Sequence, residues 1–319
     1  GAMRRYALGR QLMDTPNARS SHQLPTPRGG GVSIVLGFLG ALLFLFLWGG
    51  LPLEQMVALT GGGGLVALVG FLDDHDHIAA RWRLLAHFAG AGWLLWFLGG
   101  LPSYSLFGVI LPDWLWQSMA AFYLVWLLNL YNFMDGIDGI AGIEALSVCL
   151  GGALVGWVAA PGAEIVWGLP LVLAAASAGF LMWNFPPAKI FMGDAGSGFL
   201  GLMLGGLSLL AAREEIALFF AWLILLGVFV ADATVTLLRR VFRGDRFYEA
   251  HRSHAYQHAA RRYGGHRPVS LAVGLINLLW LLPLAMLVAT SSLDWALGLV
   301  ISYTPLLVLA FHFHAGLRD

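Results

Sequence analysis

Long apolar runs broken by short polar clusters make up the whole chain, and the polar clusters are rich in acids, glycines and prolines. A bilayer core takes about 20 apolar residues per helix. Runs near that length fall at 31–50, 54–72, 84–100, 114–133, 139–160, 164–183, 196–212, 216–238, 268–290 and 294–313, which predicts ten transmembrane helices. Glycine-rich pieces such as TGGGGLVALVG within them suit close helix packing in lipid. The pattern is that of one all-α, multi-spanning membrane domain over residues 1–319, with no separate soluble domain and no internal repeat.

Composition agrees: 59% of the 319 residues are hydrophobic and 11% charged, whereas soluble domains are about a quarter charged. The single cysteine, Cys149, sits in an apolar run and reads as a packing thiol. The opening Gly-Ala-Met reads as a protease scar and is set aside.

Basic residues set the orientation. With the N-terminus in the cytoplasm and sides alternating, Arg213 is the one of 18 Lys and Arg that falls outside. The inner loops are then 1–30, 73–83, 134–138, 184–195 and the long loop 239–267. They hold HQLPTPRGGG, DDHDH, NLYNFMDGIDG, NFPPAKIFMGDAGSG and RGDRFYEAHRSHAYQH, five polar clusters on one face. Convergence of that kind predicts a site on the cytoplasmic surface of a membrane.

Each cluster has a functional and a bland reading. In NLYNFMDGIDGIAG, Asn129, Asn132, Asp135 and Asp138 recur every third residue, and three-residue steps drift about 60° on a helix, so neighbours meet but all four do not share a face. A solvated helix end is the bland reading; two Asn and two Asp between apolar spans are costly unless paired or functional. In NFPPAKIFMGDAGSG, glycines surround Asp194 where a helix begins, and such an entry exposes N–H groups suited to phosphate. Beside it Asp194 is a natural Mg²⁺ ligand or, alternatively, an N-cap. His251, His254 and His258 stand at i, i+3 and i+7, open to zinc binding, an interfacial helix or phosphate binding. Asp232 lines the same cavity or packs helices. In FLDDHDHI, Asp73 and Asp74 are the candidates for chemistry, His75 and Asp76 read as solvated loop, and His77 stays open.

Taken together and in order, DTPNARSSHQLPTPRGGG, GFLDDHDH, NLYNFMDGIDGIAG, NFPPAKIFMGDAGS and AHRSHAYQ resemble the polyprenyl-phosphate N-acetylhexosamine-1-phosphate transferases, the family of the phospho-MurNAc-pentapeptide translocase. HRSHAYQ looks most like the O-antigen initiating branch, and the translocase's run of consecutive histidines is absent. The resemblance implies transfer of a sugar 1-phosphate from a UDP-N-acetylhexosamine to undecaprenyl phosphate, with UMP released, at the inner membrane of a bacterium. It implies Mg²⁺, with Mn²⁺ as substitute, the lipid bilayer as surroundings, a homodimer and no nucleic-acid partner. Carried over by motif, Asp194 holds the metal, Asp73 engages or deprotonates the lipid phosphate, and Asp74 assists there. Asn132, Asp135, Asp138 and Asn184 shape the nucleotide-sugar pocket, Phe191 stacks on uracil, and His251, Arg252 and His254 contact phosphate or sugar. Two features depart from the family's pattern. Members carry a helix before the DTPNARSSH loop, where about a dozen residues stand here, and the third acid of their Asp-Asp-x-x-Asp motif falls at His77. The rival class is a secondary transporter, which calls for mid-membrane polar groups in two related halves.

Overall fold

Each predicted apolar run is built on helix in the computed structural model, which describes residues 1–16, 24–76, 78–106, 108–245 and 252–317. A short helix α1 (Ala2–Gly9) and a ribbon of β1 (Met13–Asp14) with β2 (Thr26–Pro27) lead into α2 (Val32–Leu47), α3 (Leu53–His75) and α4 (Ala80–Leu98). A second ribbon, β3 (Ser105–Leu106) with β4 (Val109–Ile110), precedes α5 (Asp113–Met134), α6 (Ile140–Ala159), α7 (Glu164–Asn184) and α8 (Asp194–Glu214). There follow α9 (Ile216–Leu225), α10 (Gly227–Phe242), the loop helix α11 (Ala255–Arg262) and α12 (His266–Ile276). A π-helical turn, Asn277–Leu281, joins α12 to α13 (Leu282–Ala289), and α14 (Trp295–His312) ends the bundle.

Among the described residues, α3, α6, α7, α8, the continuous α12–α13 and α14 are long and apolar enough to cross a membrane. The pair α9 and α10, bent by 69°, makes a seventh if taken as one broken span. Length and composition thus support six or seven of the ten predicted spans. The shortfall has a physical source: α2 has 16 residues, and α4 and α5 carry Arg81, Arg83, Asn129 and Asn132 near one end, which lowers their hydropathy over a full window.

The centre of the bundle is α8, buried at every residue from Ala195 to Ala212. Its glycines make that possible: a Cβ on Gly201 would stand 2.5 Å from the Leu127 carbonyl oxygen and 2.6 Å from the Leu128 Cα of α5. Helices in lipid gain contact by such close approach. Because the obstacle is main chain, Gly201→Val is expected to cost roughly 2–3 kcal/mol, measured as a lower melting temperature in detergent. Gly64 of α3 faces open space, so Gly64→Val is the matched control and should melt as the wild type does.

The same packing brings the polar motifs together at one end. Gly31 and Gly196 touch so closely that a Cβ on Gly31 would lie 2.4 Å from the Gly196 Cα. Phe191 N donates to the Pro27 carbonyl, and Gly30 and Gly31 donate to the carbonyls of Phe191 and Met192. The segment before α2 is thereby laced to the segment before α8.

Candidate active site

Asp73 and Asp74 end α3, and consecutive helical residues point about 100° apart, so the two acids have different partners. Asp74 is 5% exposed and accepts from the backbone N of Asp194 at 3.2 Å and of Ala195 at 3.4 Å. It is a cap for α8 supplied from another helix. Arg28 backs it, with Nη2 donating to the Asp74 carbonyl at 2.6 Å and Nε 3.6 Å from Oδ1. Gly193 has φ +76°, and a Cβ there would stand 2.5 Å from Asp74 Oδ2, so the approach demands glycine.

Asp73 turns toward α4. Its Oδ1 accepts from Ile78 N at 2.6 Å and its Oδ2 from Arg83 Nη1 at 2.5 Å. The same Arg83 nitrogen lies 3.1 Å from Asp194 Oδ2. One guanidinium therefore bridges two carboxylates that are more than a hundred residues apart in sequence. Asn132 joins them, donating to Asp194 Oδ2 at 3.4 Å and accepting from Ser197 Oγ at 3.3 Å. Asp135 follows in the α5–α6 connection, where burial first, then the carboxylates of Asp194, Asp74 and Asp138, push its carboxyl well above the usual range. Asn129 bends back to its own helix and donates to the Val125 carbonyl.

At the same end of the bundle lies a cavity of about 890 Å³ walled by Asp138, Phe191, Arg252, Arg261, His266 and Arg267, among others; Asp73, Asp74, Asp194 and Arg83 are not part of its wall. That is ample for a nucleotide-sized ligand. Asp138 Oδ2 accepts from Ala188 N at 2.9 Å. Asn184 is 2% exposed and does not line the cavity; its Oδ1 accepts from Gly139 N at 2.9 Å and its Nδ2 donates to the Ile190 carbonyl at 3.0 Å. It clamps the DGIDG turn to the loop after α7. A second, apolar cavity of about 410 Å³ opens next to the first, among Met134, Val228, Tyr256, Val273, Leu306 and Phe313, and shares Pro268 with it.

The long loop departs from the helical face expected for its histidines. The described helix starts at Ala255, and His254 is its cap residue, 2% exposed, with Nδ1 3.2 Å from Asp232 Oδ1. Asp232 also accepts from Ala255 N at 2.9 Å and Tyr256 N at 3.0 Å, so it ties the loop helix to α10, and it lines the smaller cavity but not the larger one. Arg252 is exposed and lines the large cavity, whereas His254 does not. His251 and His77 lie outside the described residues. His75 is held by the Phe71 carbonyl at 2.8 Å, and Asp76 is exposed. Among the described residues no three His, Cys, Asp or Glu side chains converge as a metal cage.

In the sequence Arg28, Arg83, Arg261 and Arg267 read only as topology markers, and His266 belongs to none of the five polar motifs. For Arg83 a signal existed: a cation in the first turn of the span after an Asp-Asp pair.

Residues 56–212 match the family model described as Glycosyl transferase family 4. The chain is 30% identical to the probable undecaprenyl-phosphate N-acetylglucosaminyl 1-phosphate transferase of Bacillus subtilis, across 87% of this chain and 78% of the relative. It is 31% identical to the decaprenyl-phosphate N-acetylglucosaminephosphotransferase of Mycolicibacterium smegmatis, across 77% and 70%. With the phospho-N-acetylmuramoyl-pentapeptide-transferase of Streptococcus pyogenes it shares 28% identity across 74% and 72%. The motifs that meet at one end of this helix bundle and the relatives that span most of its length agree: the chain belongs to glycosyl transferase family 4, as a membrane-embedded polyprenyl-phosphate hexosamine-1-phosphate transferase.

Proposed function

We propose that the protein transfers an N-acetylhexosamine 1-phosphate from a UDP-sugar to undecaprenyl phosphate on the cytoplasmic face of a bacterial inner membrane. The products are the polyprenyl-diphospho-sugar and UMP, as the first step of O-antigen or a related surface glycan. The observation that carries the reading is an acidic centre, Asp73, Asp194 and Arg83, at the same end of the bundle as a cavity bearing Phe191, Asp138 and three arginines, with Phe191 three residues before Asp194. The adjoining apolar cavity supports it by offering room for part of a lipid tail. The basic residues, 17 of 18 on one side by alternation, support a cytoplasmic site.

The donor set suits Mg²⁺, which takes one or two carboxylates and completes its shell with phosphate oxygens and water. Asp194, whose side chain is 29% exposed, and Asp73 already share a cation in Arg83. Asp194 would hold Mg²⁺, or Mn²⁺ in its place, and the bound ion would offset charge on the diphosphate.

An oxygen of the lipid phosphate forms a bond to the sugar-bearing phosphorus, and the bond from that phosphorus to the UMP oxygen breaks. Both reactants are anions, so the chain's cations and its positioning carry the reaction. Arg83, fixed by Asp73 and Asp194, faces the reacting phosphates. Arg252, Arg261 and Arg267 hold the diphosphate, Phe191 stacks on uracil, and Asp138 reads its polar edge. The lipid phosphate is already largely ionised at neutral pH, its second pKa being roughly 6; Asp73 therefore acts as the anchor of Arg83 more than as a base. Asp74 supports the same centre by fixing the start of α8. A transporter is not favoured, because the polar motifs meet at one end of the bundle.

The test is UMP release by purified protein from a panel of UDP-N-acetylhexosamines. Release is expected only with undecaprenyl phosphate and Mg²⁺ both present, and one sugar should be preferred. UMP appearing at an equal rate without the lipid, or in excess EDTA, would overturn the reading.

A further inference from the structure

His266 is the first residue of α12 and lines the large cavity. Its Nδ1 lies 3.2 Å from the backbone N of Asp138 and 3.2 Å from Asp138 Oδ1. Neutral, that nitrogen accepts from the amide; protonated, it donates to the carboxylate. Either way the ring holds Asp138 in one place. The rest of Asp138 is tied as well: Oδ2 accepts from Ala188 N at 2.9 Å, and its carbonyl accepts from Ser270 Oγ at 2.8 Å.

His266 is itself fixed by a polar seam between α12 and α6. Positions 266, 270, 274 and 277 are spaced by four, four and three, which puts them on one helical face. Ser270 bonds the Asp138 carbonyl, and Gly274 lets α12 approach Ile143, whose Cγ2 would be 3.0 Å from a Cβ there. At the start of the π-helical turn, Asn277 Nδ2 donates at 2.7 Å to both Glu144 Oε2 and Ser147 Oγ. Glu144 is fully buried, and polar bonds in lipid have little water to compete with them. The seam fixes the register of α12 on α6, and so the height at which His266 meets Asp138.

The Asp138 turn lies between Gly136 and Gly139, the latter at φ +77°, a stretch with little intrinsic stiffness. A carboxylate there needs outside support to be held ready for a ligand, and a group already ordered loses less freedom on binding.

We propose that His266 is a positioning residue that presents Asp138 to the nucleotide of the sugar donor. This rests on the reading of the cavity as the UDP-sugar site. Loss of the ring lowers nucleotide affinity without touching the lipid phosphate.

The experiment is equilibrium binding of UMP to the purified full chain by calorimetry, with UMP chosen because it is common to every candidate UDP-sugar. His266→Ala is expected to weaken UMP about tenfold, and the doubly substituted His266→Ala, Asp138→Asn chain to bind no worse than Asp138→Asn alone. Asn carries an amide near the position of Nδ1, whereas Gln reaches toward Nε2. His266→Asn should therefore recover most of the affinity and His266→Gln little. In the turnover assay, the KM for undecaprenyl phosphate should stay within about twofold of wild type. Wild-type UMP affinity in His266→Ala, equal rescue by Gln and Asn, or losses that multiply in the double variant would overturn the proposal. If His266→Ala fails to fold, the Asn-against-Gln comparison decides alone. Wild-type protein that binds no UMP would remove the nucleotide reading, and this role with it; binding in the wild type with indifferent His266 variants removes this role only.

Discussion

Asp194→Asn is expected to abolish UMP release while the helix bundle stays folded. Asparagine keeps the shape of the side chain and one acceptor oxygen but drops the charge. The structure predicts that the fold will tolerate this, because the backbone N of Asp194 is capped by Asp74 and not by its own side chain. What is lost is the anion facing Arg83 at 3.1 Å, and, in the proposed mechanism, the carboxylate for Mg²⁺. Removal of one preorganised electrostatic group at a reacting centre costs about 10²–10³ in rate, and a lost metal site costs more. Loss of the acid at the first position of α8 removes a helix-dipole interaction of about 0.3–1 kcal/mol. The measurement pairs UMP release at saturating substrates with the melting temperature in detergent. Near-wild-type turnover would remove Asp194 from the proposed chemistry; the capping reading that the sequence left open is already corrected by the structure, where Gly193 is the cap position and Asp74 supplies the acceptor. A large fall in melting temperature would show that the carboxylate serves the fold.

The helices and the meeting of the polar motifs at one end were legible because apolar run length and glycine-proline punctuation are local signals. The span count was less so: α4 and α5 are polar at the end that meets the site, and that polarity hides them from any measure of mean apolarity. Side-chain roles within a motif were the least legible. Asp73 and Asp74 are chemically identical neighbours, and which one caps α8 depends on how α3 is rotated. That rotation is set by Gly70, where a Cβ would lie 2.6 Å from the Asp194 carbonyl oxygen. Asn184 and His254 are residue types that bind ligands, yet both are spent on holding loops, to partners that no spacing in the sequence announces. His266 was hidden for the converse reason. A lone histidine after two glycines carries no pattern until α12 is laid against the Asp138 turn.

Asp74→Ala is expected to lower both stability and activity, in proportion to each other. The substitution leaves the backbone donors of Asp194 and Ala195 buried without their carboxylate and takes the anion from Arg28. Breaking a largely buried, charge-assisted arrangement of this kind costs roughly 3–4 kcal/mol. Asp74→Asn retains one acceptor oxygen, so its melting temperature and turnover should both fall between those of the wild type and Asp74→Ala. A group that handles a proton or binds the lipid phosphate directly would behave otherwise: Asn and Ala would be equally inactive and both would melt near the wild type. Gly193→Ala approaches the same contact from the other side. Its Cβ would press on Asp74 Oδ2 from 2.5 Å at a backbone φ of +76°, so it should reproduce the paired loss with the carboxylate itself unaltered. If Gly193→Ala keeps full stability while losing activity, the cap is not what Asp74 contributes, and the acid belongs to the chemistry.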